Sequence, residues 1–268
     1  MFVNIDNLDA GEVLEDPSWF KLFLAGLFIQ KIPNTVPENH SSAEYLSFEV
    51  NCESFLFFLC SGQDVLFREI YEQILDVFFY YPPLQVLKTK LTEKSSSNVQ
   101  AATLSSLIQQ YFPEPQLRAK KITSQQRRSL VEGTFSDEYM LLKIENGNVI
   151  HDTMDSLPDI EFDESQSDGD YQLYWDITNS ELSITRQMRN DVTHNWLQGS
   201  MRYANQSNTL RFTTKKRPKR TSQQIKDAPL EFTYLDFEIQ DPHRFFMHIF
   251  TSTQIFKSEL RKILPFKI

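Results

Sequence analysis

The feature that most constrains the fold is a long aromatic-rich segment at residues 43–75, AEYLSFEVNCESFLFFLCSGQDVLFREIYEQIL. Its apolar residues recur every third or fourth position, which is the spacing of one buried face of an α-helix. Ser41 and Ser42 offer an N-cap, and Pro82 and Pro83 stop the chain after it. The segment therefore predicts one helix of about nine turns. Its buried stripe would comprise Phe48, Cys52, Phe55, Leu59, Gly62, Leu66 and Ile70.

Glycine is scarce in the chain, and phenylalanine is abundant. The 268 residues include 7 Gly and 22 Phe, and 40% of them are hydrophobic, which is enough for a substantial core. Few glycines and long periodic segments argue against a Gly-rich nucleotide-binding loop and against an all-β sandwich. Gly62 lies inside the predicted long helix, where glycine costs about 1 kcal/mol relative to alanine. We expect close approach of another helix to be the reason for it.

Capping signals place the other helices. A capping side chain followed by proline begins the first helix at Asp16-Pro17 and the last helix at Asp241-Pro242. The pattern favours further helices in residues 84–98 and over Val99–Phe112, and a solvated, basic helix within 116–135. Tyr139–Ile150 suits either a helix or a hairpin turning at Asn146-Gly147, and we favour the helix. Tyr171–Trp175 reads as a lead-in to the helix that follows.

Charge is unevenly distributed along the chain. The net charge is −9, which disfavours a general nucleic-acid binder. His151–Asp170 carries eight acidic residues and no Lys or Arg, whereas Arg211–Lys226 carries seven positive charges and no acid. The acidic tract, at about 152–170, lacks periodicity and predicts a mobile surface loop.

Two segments before the last helix change to a strand-like period. Met201–Thr214 and Leu230–Gln240 alternate apolar and polar residues and are rich in β-branched and aromatic types. They predict a β-hairpin insertion at about 201–240. Its basic loop is either a solvated hairpin tip, a nuclear-localisation signal or a surface that holds RNA phosphates. The residues proposed to bind RNA are Lys215, Lys216, Arg217, Lys219 and Arg220.

Glu181–Trp196 predicts a helix that contains the candidate catalytic residues. Its apolar stripe comprises Leu182, Thr185, Met188, Val192 and Trp196. On the other side Arg186, Asn190 and His194 form a polar row at helical spacing, with Arg189 beside it. An imidazole that titrates near neutrality, next to a fixed guanidinium and an amide, suits acid–base work on a phosphate ester. The alternative interpretation is an ordinary solvated helix face.

The segment RNDVTH resembles the Arg-(polar)-x(3–5)-His motif of the HEPN family (higher eukaryotes and prokaryotes nucleotide-binding). The long helix at Ala43–Leu75 is similar to that family's aromatic-rich second helix. The resemblance implies a mainly α, HEPN-like helical bundle acting as a metal-independent endoribonuclease, in a toxin or in defence. By resemblance, His194 is the general base or acid, Arg189 stabilises the phosphate, and Asn190 orients either group. It also implies a homodimer and no metal or other cofactor.

An antitoxin or regulatory protein would be a natural partner of such a nuclease. The alternative is a non-catalytic HEPN-like module that binds RNA, nucleotide or protein. The longest apolar run, Phe55–Cys60, is far too short to cross a bilayer, and the acidic N-terminus does not read as a signal peptide. We therefore expect a single cytoplasmic domain over residues 1–268, with no membrane association.

Overall fold

A computed structural model of the chain provides the structure. It describes residues 16–38, 42–78, 83–132, 141–146, 148–151, 168–176, 179–195, 201–203, 210–216 and 233–265.

Helices dominate the described residues, which confirms the prediction of a mainly α fold. The second and longest helix ends in a π-helical turn, Tyr71–Leu75. The helices are α1 Pro17–Ile29, α2 Ala43–Ile70, α3 Leu84–Ser95, α4 Val99–Tyr111, α5 Ser124–Glu132, α6 Glu181–Asn195 and α7 Pro242–Ile263.

The predicted capping residues begin the helices as expected. Asp16 accepts the backbone N–H groups of Ser18 and Trp19 at the start of α1. Asp241 accepts the backbone N–H of Arg244 in α7, and at the start of α4, where the sequence offers Ser97 or Asn98 as the cap, Asn98 accepts the backbone N–H of Ala101. These bonds satisfy backbone donors that have no partner within the helix, so short side chains at these positions set where each helix starts.

The core is built around α2, as its buried aromatic stripe predicts. Phe67 of α2 lies 5.1 Å from Phe112, at the end of α4, between ring centroids, and Phe112 lies 5.1 Å from Phe256 of α7. Nearer the start of α2, Phe55 lies 5.1 Å from Phe246 of α7. All five rings are fully buried. Aromatic contacts therefore join α2, α4 and α7 into one bundle.

Gly62 lies where α1 packs closely against α2, which confirms the expected reason for a glycine there. A Cβ atom at Gly62 would lie 2.9 Å from Cδ2 and 3.1 Å from Cγ of Leu22. Leu22 is itself only 2% exposed. Since Leu22 is held on all sides, a larger residue at position 62 would push the two helices apart.

We expect Gly62→Leu to lower the free energy of unfolding by about 2–3 kcal/mol, because the added side chain overpacks the α1–α2 contact. Urea denaturation measures the change. The matched control is Gly26→Ala in α1, where an added Cβ would meet Phe250 Cζ at 3.4 Å, an ordinary contact. That variant should gain up to about 1 kcal/mol from helix propensity. Equal effects of the two substitutions would contradict the packing argument.

A four-stranded antiparallel sheet corrects three predictions. Tyr139–Ile150 is not a helix: it contains a hairpin turning at Asn146, which has a φ of +51°. The basic segment 116–135 begins with a strand before its helix, and Tyr171–Trp175 belongs to a strand rather than to a lead-in. The strands are β1 Gln116–Ile122, β2 Leu141–Glu145, β3 Asn148–His151 and β4 Gly169–Asp176, in the order β1-β4-β2-β3.

For residues 116–135 and Tyr171–Trp175 the physical reason is the distance in sequence between the paired strands, whereas at Tyr139–Ile150 the local hairpin that the sequence also allowed is the structure that forms. β1 pairs with β4, so that Gln116 faces Asp176 and Ile122 faces Asp170. Local periodicity does not report such partners, because the hydrogen bonds that stabilise each strand come from a segment some fifty residues away. Within the described residues, Ile122, Ile144 and Tyr171 are buried in this sheet.

The β insertion before the last helix is confirmed, and it contains one more strand than expected. The predicted first strand is divided into β5 Met201–Tyr203 and β6 Leu210–Lys216, and β7 Thr233–Ile239 completes a three-stranded antiparallel sheet. β6 and β7 pair from Leu210 opposite Ile239 to Lys216 opposite Thr233. Ile239 is buried in the helical core, which attaches the sheet to the bundle.

The predicted acidic loop falls mostly outside the described residues. At its end, Asp170 begins the pairing of β4 with β1 and forms an ion pair with Arg127 of α5. Asp168 accepts the backbone N–H of Asn146 at 2.6 Å.

Across the described part of the chain, no helix combines the length and apolar character needed to span a bilayer. The expected single domain remains a prediction.

Asp16 also links α1 to α7, and this link makes stability depend on pH. Lys257 Nζ lies 2.6 Å from Asp16 Oδ2. Burial raises the pKa of Asp16, but hydrogen bonds from Lys257 and Ser18 and the charge of Lys257 outweigh burial, so the pKa lies below its usual value. The folded state therefore binds this proton less tightly than the unfolded state. The resulting stabilisation is present above the unfolded pKa of about 3.9 and is lost as the pH falls through the folded pKa.

We expect Asp16→Asn to reduce the free energy of unfolding by about 1–2 kcal/mol at neutral pH and by progressively less below about pH 4. Urea titrations of wild type and variant between about pH 7 and pH 2 measure the difference. Lys257→Met serves as the matched variant, since it removes the ion pair between Asp16 and Lys257 by changing the other partner. A difference between wild type and Asp16→Asn that does not shrink in acid would contradict the proposed linkage.

Candidate functional site

The segment predicted to carry the chemistry is the unbroken helix α6. Of its expected apolar stripe, Leu182, Thr185 and Met188 are buried, with exposures of 3% or less. The side chain of Val192 and all of Trp196 lie outside the described residues. α6 packs against α2 and α7, and its first turn is attached to the end of α4, because Ser183 Oγ donates to the Pro113 carbonyl at 2.6 Å. The helix is therefore fixed at its N-terminal half.

Arg186 does not belong to an exposed polar row, contrary to expectation. It is 9% exposed, and its guanidinium lies 4.8 Å from the ring centroid of Phe67. Nη1 donates to Gln63 Oε1 at 3.2 Å, and Nη2 donates to Asp64. Gln63 in turn donates to Thr253 Oγ1 of α7 at 3.0 Å. Arg186 is thus the centre of a buried polar contact that joins α6, α2 and α7.

Asp64 of α2 binds two arginines of α6. Its Oδ1 accepts from Arg186, and its Oδ2 lies 3.3 Å from Arg189 Nη2. The side chain of Asp64 is 16% exposed, against 11% for Arg186 and 20% for Arg189. Two guanidinium groups of α6 therefore share one carboxylate of α2. The planar guanidinium is the side-chain group that best matches the oxygens of a phosphate.

Arg189 and Asn190 place this cluster at the protein surface. Arg189 is partly exposed, and Asn190, the next residue on the helix, is exposed. The contact with Asp64 holds the Arg189 guanidinium in one place, and the exposed amide beside it can donate to or accept from a ligand. The structure therefore brings Arg189 and Asn190 together at one solvent-facing edge of α6.

His194 lies on the same helix, one turn beyond Asn190, because α6 continues through Asn195. Helical rise places His194 about 7.5 Å along the axis from Arg189, with an angle of roughly 140° between their Cα positions. The prediction of a single helical segment is confirmed for the backbone. The side chain of His194 lies outside the described residues.

Cys60 lies beneath the arginines but is not a nucleophile. It is fully buried, and its Sγ lies 3.9 Å from the Thr185 carbonyl. Burial raises the pKa of Cys60 to about 11, although Arg186 and Arg189 act in the opposite direction. Burial likewise raises the pKa of Cys52 well above its usual value. Both thiols therefore remain protonated near neutral pH and act as small apolar residues.

The predicted RNA-binding residues lie only partly within the described structure. Lys215 and Lys216 end strand β6, and this strand packs against α6. The basic segment thus leaves the three-stranded sheet from a strand next to the candidate site. Arg217, Lys219 and Arg220 lie outside the described residues.

The sequence identifies Asp64 as the polar residue in the most apolar part of α2. From that position it could face the arginine and histidine of the site, although an exposed carboxylate is the commoner outcome for aspartate. The structure places Asp64 at the arginines, and the sequence carried no comparable signal for Gln63. Among the described residues, no group of three or more His, Cys, Asp or Glu is placed to hold a metal ion.

Comparisons of the chain with protein-family models, with curated proteins and with solved structures found no match.

Proposed function

We propose that the protein is a metal-independent endoribonuclease of HEPN type. The observation that carries the proposal is the geometry of α6. One continuous helix contains Arg189, Asn190 and His194, and Asp64 of α2 holds the Arg189 guanidinium at the surface beside the exposed Asn190. A fixed cation, an amide and an imidazole on one rigid element are the groups that phosphodiester cleavage requires.

The proposed reaction uses the RNA itself as nucleophile. His194 takes the proton of a ribose 2′-hydroxyl, and the 2′-oxygen attacks the neighbouring phosphorus. The bond from phosphorus to the 5′-oxygen breaks, that oxygen takes a proton from solvent water, and protonated His194 releases its proton to solvent, so the products are a 2′,3′-cyclic phosphate and a 5′-hydroxyl. Arg189 neutralises the charge that develops on the non-bridging oxygens, and Asn190 orients the phosphate.

Asp64 and Arg186 position the reacting groups in this proposal. Asp64 fixes the guanidinium of Arg189, and its charge is balanced by Arg186, which is held by Gln63 as well. In the proposal, a phosphate binds to the Arg189 guanidinium from its solvent-exposed side while Asp64 continues to hold it. Preorganised charge of this kind costs no rearrangement when the substrate binds.

The proposal includes the finer features that the HEPN resemblance implies. Two copies would pair so that their α6 helices line one cleft, and an antitoxin or regulatory protein would keep the nuclease inactive in a toxin or defence system. The predicted basic loop, with Lys215 and Lys216 at its base, would hold RNA phosphates beside α6. If two copies pair, size-exclusion chromatography with light scattering should give the molar mass of two chains.

A second candidate is a non-catalytic module that binds RNA, nucleotide or protein. The contact between Arg189 and Asp64 favours it, because a guanidinium already paired with a carboxylate is also what a purely structural ion pair requires. The scaffold and the charge of the cluster would be the same, and only the role of His194 would differ.

Incubation of the pure protein with total RNA in EDTA separates the two. Cleavage that leaves 2′,3′-cyclic phosphate ends supports the nuclease. Retention of intact RNA supports the binding module, and neither cleavage nor retention would leave only the version that binds a protein. Cleavage that requires a divalent metal would contradict the proposed mechanism, since the 2′-hydroxyl needs no metal-activated water.

A further inference from the structure

An exposed phenylalanine lies on the outer face of α2, in the same part of the helix as the arginine site. The side chain of Phe57 is 47% exposed, whereas its neighbours Leu56 and Phe58 are buried and half-buried. A single exposed apolar residue is ordinary on a protein surface. The location of Phe57, rather than its exposure alone, therefore carries the inference.

Helical geometry puts Phe57 on the same face of α2 as Asp64. Seven residues separate the two, so their directions from the helix axis differ by only about 20° and their positions along it by about 10 Å. Asp64 Oδ2 lies 3.3 Å from Arg189 Nη2. Arg189 also interacts with the thiol of Cys60, which lies one turn after Phe57. The Arg189 guanidinium is therefore one to two helical turns from Phe57, on the same side of α2.

Neighbouring rings support Phe57. Its centroid lies 5.3 Å from that of Phe58, with an angle of 81° between the ring planes. Phe58 in turn stacks on Phe28 of α1 at 5.6 Å, and Lys21 Nζ lies 5.6 Å from the centre of the Phe58 ring. Phe57 is thus an exposed ring on a packed base, so it loses little conformational freedom when a ligand covers it.

Charge along α2 limits what can bind beside this ring. Glu53 lies one turn before Phe57, and Glu49 lies one turn before Glu53; both are half-buried. A phosphate would be repelled at that end of the helix and attracted at the Arg189 end. An uncharged group at Phe57 that is linked to a phosphate at Arg189 fits this distribution, whereas a polyanion that follows the whole length of α2 does not.

Two other exposed apolar residues on α2 define the rival interpretation. Leu46 is 61% exposed and Val50 is 51% exposed, and helical spacing puts both on the outer side of the helix with Phe57. A protein partner or a second copy of the chain that covered this row would contact all three. Glu53 lies between Val50 and Phe57 in the sequence, and the arginine site adjoins Phe57 alone, which favours a small group at Phe57 over a protein surface.

We propose that Phe57 is a stacking platform for one base of a single-stranded RNA whose phosphate binds Arg189. The inference rests on the proposed function for its choice of ligand and adds a base-binding subsite to the phosphate site. A single nucleotide has its phosphate at one end and its base at the other, which matches the separation of about 10 Å along α2. Every base has a π-face, so stacking on Phe57 adds affinity with little sequence preference.

The test is affinity for an RNA that has no nucleophile for cleavage. Fluorescence anisotropy measures the binding of a labelled, unstructured 2′-O-methyl RNA of about six nucleotides in EDTA. Phe57→Leu keeps an apolar side chain but removes the aromatic face, so we expect it to weaken binding by about tenfold. Phe57→Trp should retain the affinity. An oligomer of the same length without bases should bind wild type and Phe57→Leu equally.

Leu46→Ala is the matched control. Leu46 is more exposed than Phe57 and lies on the same helix, eleven residues and thus about 16 Å before it along the axis. We expect its RNA affinity to stay within twofold of the wild type. Thermal unfolding and light scattering of the same samples verify that each variant is folded and give its molar mass.

The results separate this inference from the proposed nuclease. Equal RNA affinities for Phe57→Leu and Leu46→Ala would overturn the stacking platform, as would a wild type that does not bind the RNA. A lower molar mass in both variants with unchanged RNA affinity would also overturn it, in favour of an interface between two copies. Loss of affinity in Phe57→Leu alone supports the inference even if the wild type never cleaves RNA.

Discussion

We expect His194→Ala to abolish measurable RNA cleavage by the proposed nuclease while the protein remains folded, which is the largest functional effect among the predictions. Removing a general base or acid lowers a rate by about 10²–10⁴-fold. His194 follows the turn of α6 that contains Arg189 and Asn190, so all three residues belong to one continuous helical backbone. Initial rates of cleavage of a labelled RNA, with thermal unfolding of the same samples, provide the measurement.

Arg189→Ala should lower the rate to a similar extent, because the phosphate loses its fixed positive charge. Asp64 keeps its contact with Arg186 in this variant, so the fold should survive. Arg189→Lys should recover part of the rate, since it retains the charge but not the planar fork of donors. A drop in rate that merely follows a loss of unfolding temperature would instead assign Arg189 a structural role.

The control histidine is His248 of α7, whose side chain is 60% exposed and lies 3.8 Å from Glu181 at the start of α6. His248→Ala removes an imidazole from the same bundle, close to the same helix, without touching the proposed reacting groups. We expect its cleavage rate to match that of the wild type. If His194→Ala cleaves as fast as His248→Ala, the assignment of His194 is wrong.

The sequence predicts α6 well and predicts poorly what surrounds it. The spacing of Leu182, Thr185 and Met188 identifies the buried stripe correctly, because burial against a bundle leaves a helical period in the sequence. The same spacing placed Arg186 and Asn190 in one polar row. In the structure Arg186 is 9% exposed and Asn190 is exposed.

Long-range partners explain this difference. Arg186 is buried because Gln63 and Asp64, more than 120 residues earlier in the chain, supply acceptors for its guanidinium. A polar residue can be buried in a core where another segment supplies acceptors for its hydrogen-bond donors. The periodicity of one segment does not indicate which other segment will pack against it. The failure to predict strands β1 and β4 has the same cause, since each strand is stabilised by pairing with the other.

Arg186→Met should cause the largest loss of stability. The substitution retains an apolar side chain of similar length but leaves Gln63 Oε1 without the donor at 3.2 Å and leaves Asp64 with Arg189 alone. Breaking a buried ion pair from one side costs about 3–5 kcal/mol, because the remaining charge stays buried without its counterion. The contact of the guanidinium with the Phe67 ring is also lost. We therefore expect the free energy of unfolding to fall by about that amount, and the unfolding temperature by on the order of 10 °C.

The matched substitution is Arg189→Met, on the same helix and against the same carboxylate. Arg189 is the more exposed partner and its contact with Asp64 is longer, at 3.3 Å, so its loss should cost about 1 kcal/mol. Adding Asp64→Asn to Arg186→Met should restore part of the loss, because it removes the charge that would otherwise remain buried, and the double-mutant cycle gives the coupling energy. If Arg186→Met and Arg189→Met cost the same, Arg186 would not be the buried link between α2, α6 and α7, and Arg189 would carry as much of the fold as of the site.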